Sequence, residues 1–215
     1  MLIVKLLLKN GAQTQFQNET AFHAAARLPN PKCLQYLCKY VVTDDLQSIN
    51  KRDYQYHTSL HVSVLHNLPD NIKMLLEAKA DISVSDQDGR TALHYAVSQN
   101  YLSCVQVIIE TDPNDINLVD TVGWSALHLA CQAGFFECVK CLVSCPNCDY
   151  NLKDQNGCTP LHIAVKYNKE EVVKILVNKG ASIALKDNKD KTPLHYCMEL
   201  GHTGCGRAIQ IMSSR

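Results

Sequence analysis

Six short motifs that end in histidine recur along the chain and constrain its fold more than any other feature. Each has threonine or serine, a small residue or proline, an apolar residue and then His23, His61, His94, His128, His162 or His195. Four of the five spacings between these histidines are 33 or 34 residues, and the first is 38. A fixed period of this length indicates a repeat protein, in which each unit buries its apolar face only against its neighbours.

Within each period the residues predict a helix, a tight turn, a second helix and a hairpin loop. Small residues stand two positions after the histidines, where helices approach closely: Ala25, Ser63, Ala96, Ala130, Ala164 and Cys197. Residues that tolerate the left-handed conformation stand six positions after, at Asn67, Asn100, Gly134, Asn168 and Gly201. Stretches such as 172–177 carry the apolar stripe of a second helix.

The motif and the hairpin have structural explanations of their own. Threonine or serine can cap the first helix, and Pro160 and Pro193 fall at its first position. The histidine can bridge to the threonine or to a neighbouring loop. Asn18, Gly89, Gly123, Gly157 and Asp190 suit a turn five residues before the next histidine, where Tyr56 is the exception.

A Thr-Pro-Leu-His motif at the head of a 33-residue period resembles the ankyrin repeat. The resemblance covers essentially the whole chain and implies an all-α fold, an ankyrin-repeat solenoid whose loops project as fingers. It divides the chain into a partial repeat at 1–16 and six repeats at 17–50, 51–85, 86–118, 119–152, 153–186 and 187–215. The first and last stretches resemble incomplete or degenerate repeats, so we expect a fragment of a longer protein.

Composition narrows the function classes. The chain is 46% hydrophobic and 20% charged, as expected for a globular protein. Its 21 basic and 21 acidic residues cancel, which predicts no nucleic-acid or membrane partner. Eleven cysteines, an odd number, argue against a disulfide scaffold and favour the cytoplasm, with the nucleus as a second location. Residues 80–137 hold eight acids and one base, which predicts a basic segment in the partner.

The sequence predicts no enzyme, cofactor or metal. Phosphate-binding, dinucleotide-binding, serine-hydrolase and zinc-protease motifs are absent. Two C-x-x-C pairs formed by Cys138, Cys141, Cys145 and Cys148 suggest zinc, but Cys138 repeats a helical position that Cys33, Cys104 and Cys205 also hold. We therefore interpret Cys138 as a packing residue. Cys145 and Cys158 are expected to be exposed and open to oxidation.

Two asparagines are candidates for modification. Asn117 and Asn151 follow Asp-Ile and Asp-Tyr where ankyrin repeats commonly carry Asp-Val-Asn. By this resemblance they are candidates for asparaginyl hydroxylation. The alternative, which we favour, is that each side chain satisfies the hairpin turn.

The resemblance implies binding of a partner protein through finger tips and the adjoining first-helix surface. Trp124, the one tryptophan, is a candidate hot spot on a finger, and the alternative is that it lies flat against the next finger. The predicted partner-binding residues are Trp124, Arg90, Asp88, Gln87, His57, Tyr54, Asn156 and Lys191 on fingers, and His66, Gln99, Gln132 and Tyr167 on first helices. Asp86, Asp112 and Asp115 are expected to attract the basic partner.

Two narrower functions remain open. Residues 58–78 resemble a middle repeat of the Rel/NF-κB inhibitor family, which implies binding of a Rel-type transcription factor. Alternatively, the chain is the regulatory ankyrin segment of a larger enzyme or channel.

Overall fold

The computed structural model describes residues 19–40 and 48–213. Twelve α-helices form six consecutive pairs in these ranges, and a short 3₁₀ helix spans Ser48–Asn50. The pairs are Ala21–Ala26 (α1) with Lys32–Tyr40 (α2), Ser59–Leu65 (α3) with Pro69–Glu77 (α4), Ala92–Ser98 (α5) with Leu102–Thr111 (α6), Ala126–Ala133 (α7) with Phe136–Ser144 (α8), Pro160–Lys166 (α9) with Glu170–Asn178 (α10), and Pro193–Leu200 (α11) with Thr203–Ser213 (α12).

The helix pairs stack side by side into an all-α solenoid, as the sequence predicts. First helices contact first helices of the adjacent pairs, and second helices contact second helices. The small residues two positions after each motif histidine are buried where the layers meet. Among the described residues there is no strand, only an isolated bridge between Val119 and Ser125. The partial repeat expected at 1–16 and the segment 41–47 lie outside the described residues.

Every first helix begins in the same way. The threonine or serine of the motif is in an extended conformation, and the histidine three residues later completes a capping box. Helices α9 and α11 start at Pro160 and Pro193, as predicted. This arrangement satisfies backbone N–H groups that a helix start would otherwise leave unpaired.

The predicted turns between paired helices are confirmed. The backbone is left-handed at Asn67, Asn100, Gly134, Asn168 and Gly201, with φ of 52°, 57°, 82°, 54° and 70°. In the first pair, Pro29 stands at this position. There the Asn71 amide of the next repeat donates to the carbonyls of Ala26 and Leu28, at 3.2 and 3.0 Å.

The second-helix cysteines pack against these turns. Cys104, Cys138 and Cys205 are fully buried, and their thiols donate to the side-chain oxygens of Asn67, Asn100 and Asn168 at 3.3, 3.3 and 3.5 Å. Each bond joins one repeat to the turn of the repeat before it. Cys138 is therefore a packing residue, as its position in the period predicts.

The last pair is more regular than the sequence suggests. The glycine-rich stretch that follows Gly201 reads as weakly helical, yet α12 has 11 residues and is the longest helix described. Its buried residues Cys205, Ala208 and Ile209 show why, because packing against α10 and α11 outweighs the low helix propensity of two glycines.

Candidate protein-binding surface

The motif histidines join neighbouring repeats. Each ring accepts, at Nδ1, the N–H of its own threonine or serine at 3.1–3.2 Å. Its Nε2 donates to a backbone carbonyl in the next repeat, from His23 to His57, His61 to Arg90, His94 to Trp124, His128 to Cys158 and His162 to Lys191, at 2.9, 3.1, 2.9, 3.3 and 3.0 Å. The prediction that the histidine bridges to the threonine and to a neighbouring loop is confirmed.

This bonding requires the neutral imidazole. Nδ1 accepts an N–H and must carry no proton, so a charged ring would lose that bond. Burial lowers the pKa of all five histidines, and that of His61 falls to about 4. These rings are structural groups and not candidates for catalysis or metal binding.

Five aspartates build the hairpins in one way. In each, Oδ1 accepts the backbone N–H groups two and four residues later, at 2.8–3.0 Å. We call the resulting hairpins finger 2 (53–57), finger 3 (86–90), finger 4 (120–124), finger 5 (154–158) and finger 6 (187–191). Asp86 therefore has a structural role, and its attraction of a basic partner stays a prediction.

The second carboxylate oxygen has a partner in fingers 3 to 6, and the kind of partner varies. Asp86 and Asp187 accept the hydroxyls of Tyr95 and Tyr196 at 2.7 and 2.6 Å. Asp154 accepts the indole N–H of Trp124 from the preceding finger at 3.0 Å. Arg90 Nε lies 4.0 Å from Oδ2 of Asp120. Among the described residues, the buried Oδ2 of Asp53 has no hydrogen-bond partner.

Fingers 3 to 6 are joined along their backbones. Thr121 N–H donates to Asp88 O at 2.8 Å, Gln155 N–H to Val122 O at 3.4 Å, and Asn188 N–H to Asn156 O at 2.9 Å. Two amide side chains strengthen the row, since Gln155 donates to Thr121 O at 2.6 Å and Asn188 to Gln155 O at 2.9 Å. Four fingers thus form one continuous bonded edge.

Trp124 belongs to that edge and is only partly exposed. Its ring packs against the core and stacks on His128, with centroids 6.3 Å apart and planes 24° apart. Together with the bond to Asp154, this is the alternative in which Trp124 lies against the next finger. Trp124 therefore has a packing role, and part of its ring still faces solvent.

The other predicted finger residues differ in availability. His57 is 8% exposed and donates through Nε2 to the Tyr95 hydroxyl at 3.0 Å, so its expected position on the accessible surface is wrong. Lys191 Nζ is paired with Glu199 at 2.7 Å. The exposed ones are Tyr54, Gln87, Asp88, Arg90 and Asn156.

The predicted first-helix residues lie along one face of the solenoid. His66, Gln99 and Tyr167 are exposed, each five residues after its motif histidine. Gln132 is half-buried, and its side-chain amide donates to the Tyr167 hydroxyl at 2.9 Å. The structure therefore brings Gln132 and Tyr167 together across two repeats. We call these four residues the first-helix stripe.

Three acids outside the fingers, Asp81, Asp112 and Asp115, lie close enough to influence one another. Burial, together with Asp112 and Asp81, raises the pKa of Asp115. Like charges therefore face each other here, with Asp81 exposed and Asp112 and Asp115 half-buried.

The cysteine predictions are corrected in one respect. Cys145 and Cys158 are buried and not exposed. Burial raises the pKa of the Cys158 thiol, although Lys166 Nζ lies 2.9 Å from its sulfur. In the described part of the chain, no group of three or more histidine, cysteine or acidic side chains is arranged to hold a metal ion.

Asn117 and Asn151 bond neighbouring hairpins through their side chains. Asn117 Oδ1 accepts Asp149 N–H at 2.8 Å and its amide donates to Asn147 O at 2.7 Å. Asn151 Oδ1 accepts Ser182 N–H at 2.8 Å. Both side chains thus satisfy the hairpins, as the favoured alternative predicts.

Two further signals in the sequence point to finger residues. An aspartate stands eight residues before each motif histidine from the second to the sixth. A tyrosine follows the histidine at Tyr95 and Tyr196, the two repeats in which a hydroxyl binds the finger aspartate.

No helix among the described residues is long and apolar enough to cross a membrane.

Stacked helix pairs whose fingers form a hydrogen-bonded row define a repeat solenoid of the kind that binds other proteins. The family model "Ankyrin repeats (3 copies)" matches residues 1–86, 60–154 and 139–210. The chain belongs to the ankyrin repeat family, and the predicted family is confirmed.

Similar proteins include two curated relatives. Inversin from dog is 31% identical over 108 residues, which are 49% of this chain and 10% of inversin. The mouse B-cell lymphoma 3 protein homolog is 33% identical over 111 residues, 50% of this chain and 25% of that protein. The matched segments thus span a quarter or less of these relatives.

Solved structures agree with the fold. The ankyrin repeat domain of Bcl-3, titled a unique member of the IkappaB protein family, has a TM-score of 0.84 at 23% identity, covering 91% of this chain and 87% of that domain. An ankyrin repeat domain from Acinetobacter baumannii has a TM-score of 0.76 at 25% identity, covering 89% and 97%. The chain is therefore an ankyrin-repeat protein-interaction domain.

Proposed function

We propose that the chain is a non-enzymatic adaptor that holds a partner protein against its fingers and its first-helix stripe. The observation that carries this is the contrast between the two sides of the repeat. Histidines and finger aspartates are committed to structure, whereas the stripe residues vary in chemistry and stay accessible. Residues that the packing of the repeats does not constrain can determine which partner is bound.

The stripe offers a specific anchor. Tyr167 is 48% exposed, and its hydroxyl is held by Gln132, so the ring is fixed without being buried. A rigid aromatic ring loses little conformational entropy when a partner covers it. We propose that Tyr167 and Gln132 contribute the centre of this face, with the exposed parts of Arg90 and Trp124 at its rim.

The experiment is a titration of a partner, recovered with the full chain as bait, by calorimetry. The double variant Gln132→Ala, Tyr167→Ala should weaken binding by about 2 kcal/mol, as hot-spot truncations do. Lys140→Ala on α8, an exposed residue away from the stripe, is the control and should bind unchanged. Weaker binding of Lys140→Ala together with unchanged binding of the double variant would show that the partner does not use this face.

A second candidate is binding of a Rel-type transcription factor. Half of the chain is 33% identical to the B-cell lymphoma 3 protein homolog, and the residues 58–78 resemble the inhibitor family of such factors. Inversin is matched about as well over a similar length, so this candidate ranks second. Titration of the chain with a purified Rel-family dimer tests it, and no detectable binding would exclude it.

We also place the protein in a reducing compartment, the cytoplasm or the nucleus. All eleven cysteines are free thiols, which supports this proposal. Mass spectrometry of alkylated cell extracts tests it, because disulfides in the native protein would contradict it.

A further inference from the structure

The row of fingers is interrupted between finger 2 and finger 3. Each of the three bonds that join fingers 3 to 6 is donated by the residue that directly follows a finger aspartate. It is accepted by the carbonyl of the residue two positions after the aspartate of the preceding finger. The equivalent bond would run from Gln87 N–H to Gln55 O. It is absent, and neither group has another partner within the described residues.

Tyr56 explains the interruption. Gly89, Gly123 and Gly157 occupy its position in fingers 3, 4 and 5, and a Cβ on them would lie 3.0, 2.8 and 2.8 Å from the N–H nitrogens of Thr121, Gln155 and Asn188. A side chain there would strike the group that makes the joining bond. Tyr56 carries a side chain, so finger 3 cannot approach finger 2 as closely.

The tyrosine is also held in a strained conformation. Its φ is 64°, in the left-handed region that a bulky residue rarely adopts. Asp190 shares this conformation, but it lies in finger 6, after which no finger follows among the described residues. A residue that costs stability and opens the row at one place suggests a functional reason for the gap.

The side chains beside the gap between fingers 2 and 3 favour one class of ligand. Tyr54 and Tyr56 are 52% and 43% exposed, and the Asp88 carboxylate is exposed on the facing finger. Aromatic faces and a carboxylate together favour a cation, above all an arginine side chain. The one basic residue between 80 and 137, Arg90, lies beside Asp120.

We propose that the gap between fingers 2 and 3 binds an extended peptide segment of a partner protein, one that carries an arginine or a lysine. The peptide backbone pairs with Gln55 O and Gln87 N–H, as the next finger does elsewhere in the row. The basic side chain lies between the two tyrosine rings and Asp88. This inference rests on the proposed interaction function and gives it a second, separate contact.

The test is selection of a phage-displayed library of random linear peptides on the full chain. Enriched peptides should contain arginine or lysine, and their affinity should fall about tenfold in Tyr56→Gly and in Tyr54→Ala, the loss expected from one hot-spot side chain. Tyr56→Gly removes the strained residue, so it remains folded and lets the fingers close. Bound peptide should slow exchange of the Gln87 amide and leave the Thr121 amide unchanged.

Three results would overturn the proposal: no enriched peptide, enrichment without basic residues, or unchanged affinity in both tyrosine variants. Peptides that lose affinity only for the variant Gln132→Ala, Tyr167→Ala would refute the gap and leave the adaptor function intact. The adaptor function fails separately if that variant does not affect the recovered partner.

Discussion

Fingers 3 to 6 and finger 2 are built on the same aspartate hairpin, yet they differ in how far their neighbours satisfy them. In the regular fingers the second carboxylate oxygen meets a partner in its own repeat or in the preceding one, and backbone bonds join each finger to the next. In finger 2, Asp53 Oδ2 and Gln55 O have none within the described chain. Glu19 stands where Arg90 and Trp124 meet the aspartate of the next finger, and Tyr56 stands where fingers 3 to 5 have glycine.

The comparison shows that the histidine bond and the finger bond are independent connections. At the junction of repeats 2 and 3, His61 still donates to Arg90 O at 3.1 Å while the finger bond is missing. At the next junction both His94 and the bond between Thr121 and Asp88 are present. The junction at finger 2 therefore depends more heavily on its histidine.

The largest effect should come from removing that histidine. His61→Ala leaves a cavity and takes the acceptor from the buried Thr58 N–H, and we expect a loss of about 3 kcal/mol or more in unfolding free energy. His94→Ala should cost less, because the finger bond still joins its two repeats. Denaturant titration measures both.

His195→Ala is the matched control for the histidine series. His195 makes the same bond to its threonine but is exposed, and its Nε2 has no partner among the described residues. We expect a loss within about 1 kcal/mol, typical of a surface position. Equal losses at His61 and His195 would contradict a joining role.

Acid should destabilise the whole stack. The histidine pKa values are lower in the folded chain than the ordinary 6.5, so the unfolded chain binds more protons as the pH falls. Their contribution is complete above pH 6.5 and is lost between 6.5 and about 4. From His61 alone the loss is roughly 3 kcal/mol.

Thermal melts across this range check the acid effect. Melts of His61→Ala beside the wild type separate that histidine from the rest, because the variant should lose less stability on acidification. The same acid dependence in both proteins would contradict the role given to His61.

Trp124→Ala should weaken the regular fingers. It removes the indole bond to Asp154 and half-buried ring surface, and we expect a loss of about 2 kcal/mol. Trp124→Phe keeps the packing without the donor and should lose about 1 kcal/mol. An unchanged melt of Trp124→Ala would show that the ring is a free surface anchor.

The smallest expected effect is a gain at finger 2. Glu19 stands where Trp124 stands in repeat 4, and Glu19→Gln offers an amide donor to Asp53 Oδ2. We expect about 1 kcal/mol of added stability. Arg27→Gln removes the same Glu19–Arg27 ion pair but leaves a carboxylate at position 19, so it should not increase the stability.

The period of the motif histidines was enough to predict helix pairs, turns and stacking, because packing repeats with the sequence. The period does not predict the burial and hydrogen bonding of single finger residues. Trp124 is half-buried because Asp154, 30 residues away, accepts its N–H. Tyr56 was visible as an exception, but its consequence depends on how close the next finger lies.

The most direct test of the account is native-state hydrogen exchange at four equivalent amides. We predict slow exchange at Thr121, Gln155 and Asn188, which donate to the preceding finger, and fast exchange at Gln87, which does not. Tyr56→Gly should bring Gln87 toward the other three. Equal protection of all four amides in the wild-type chain would contradict the interruption at finger 2.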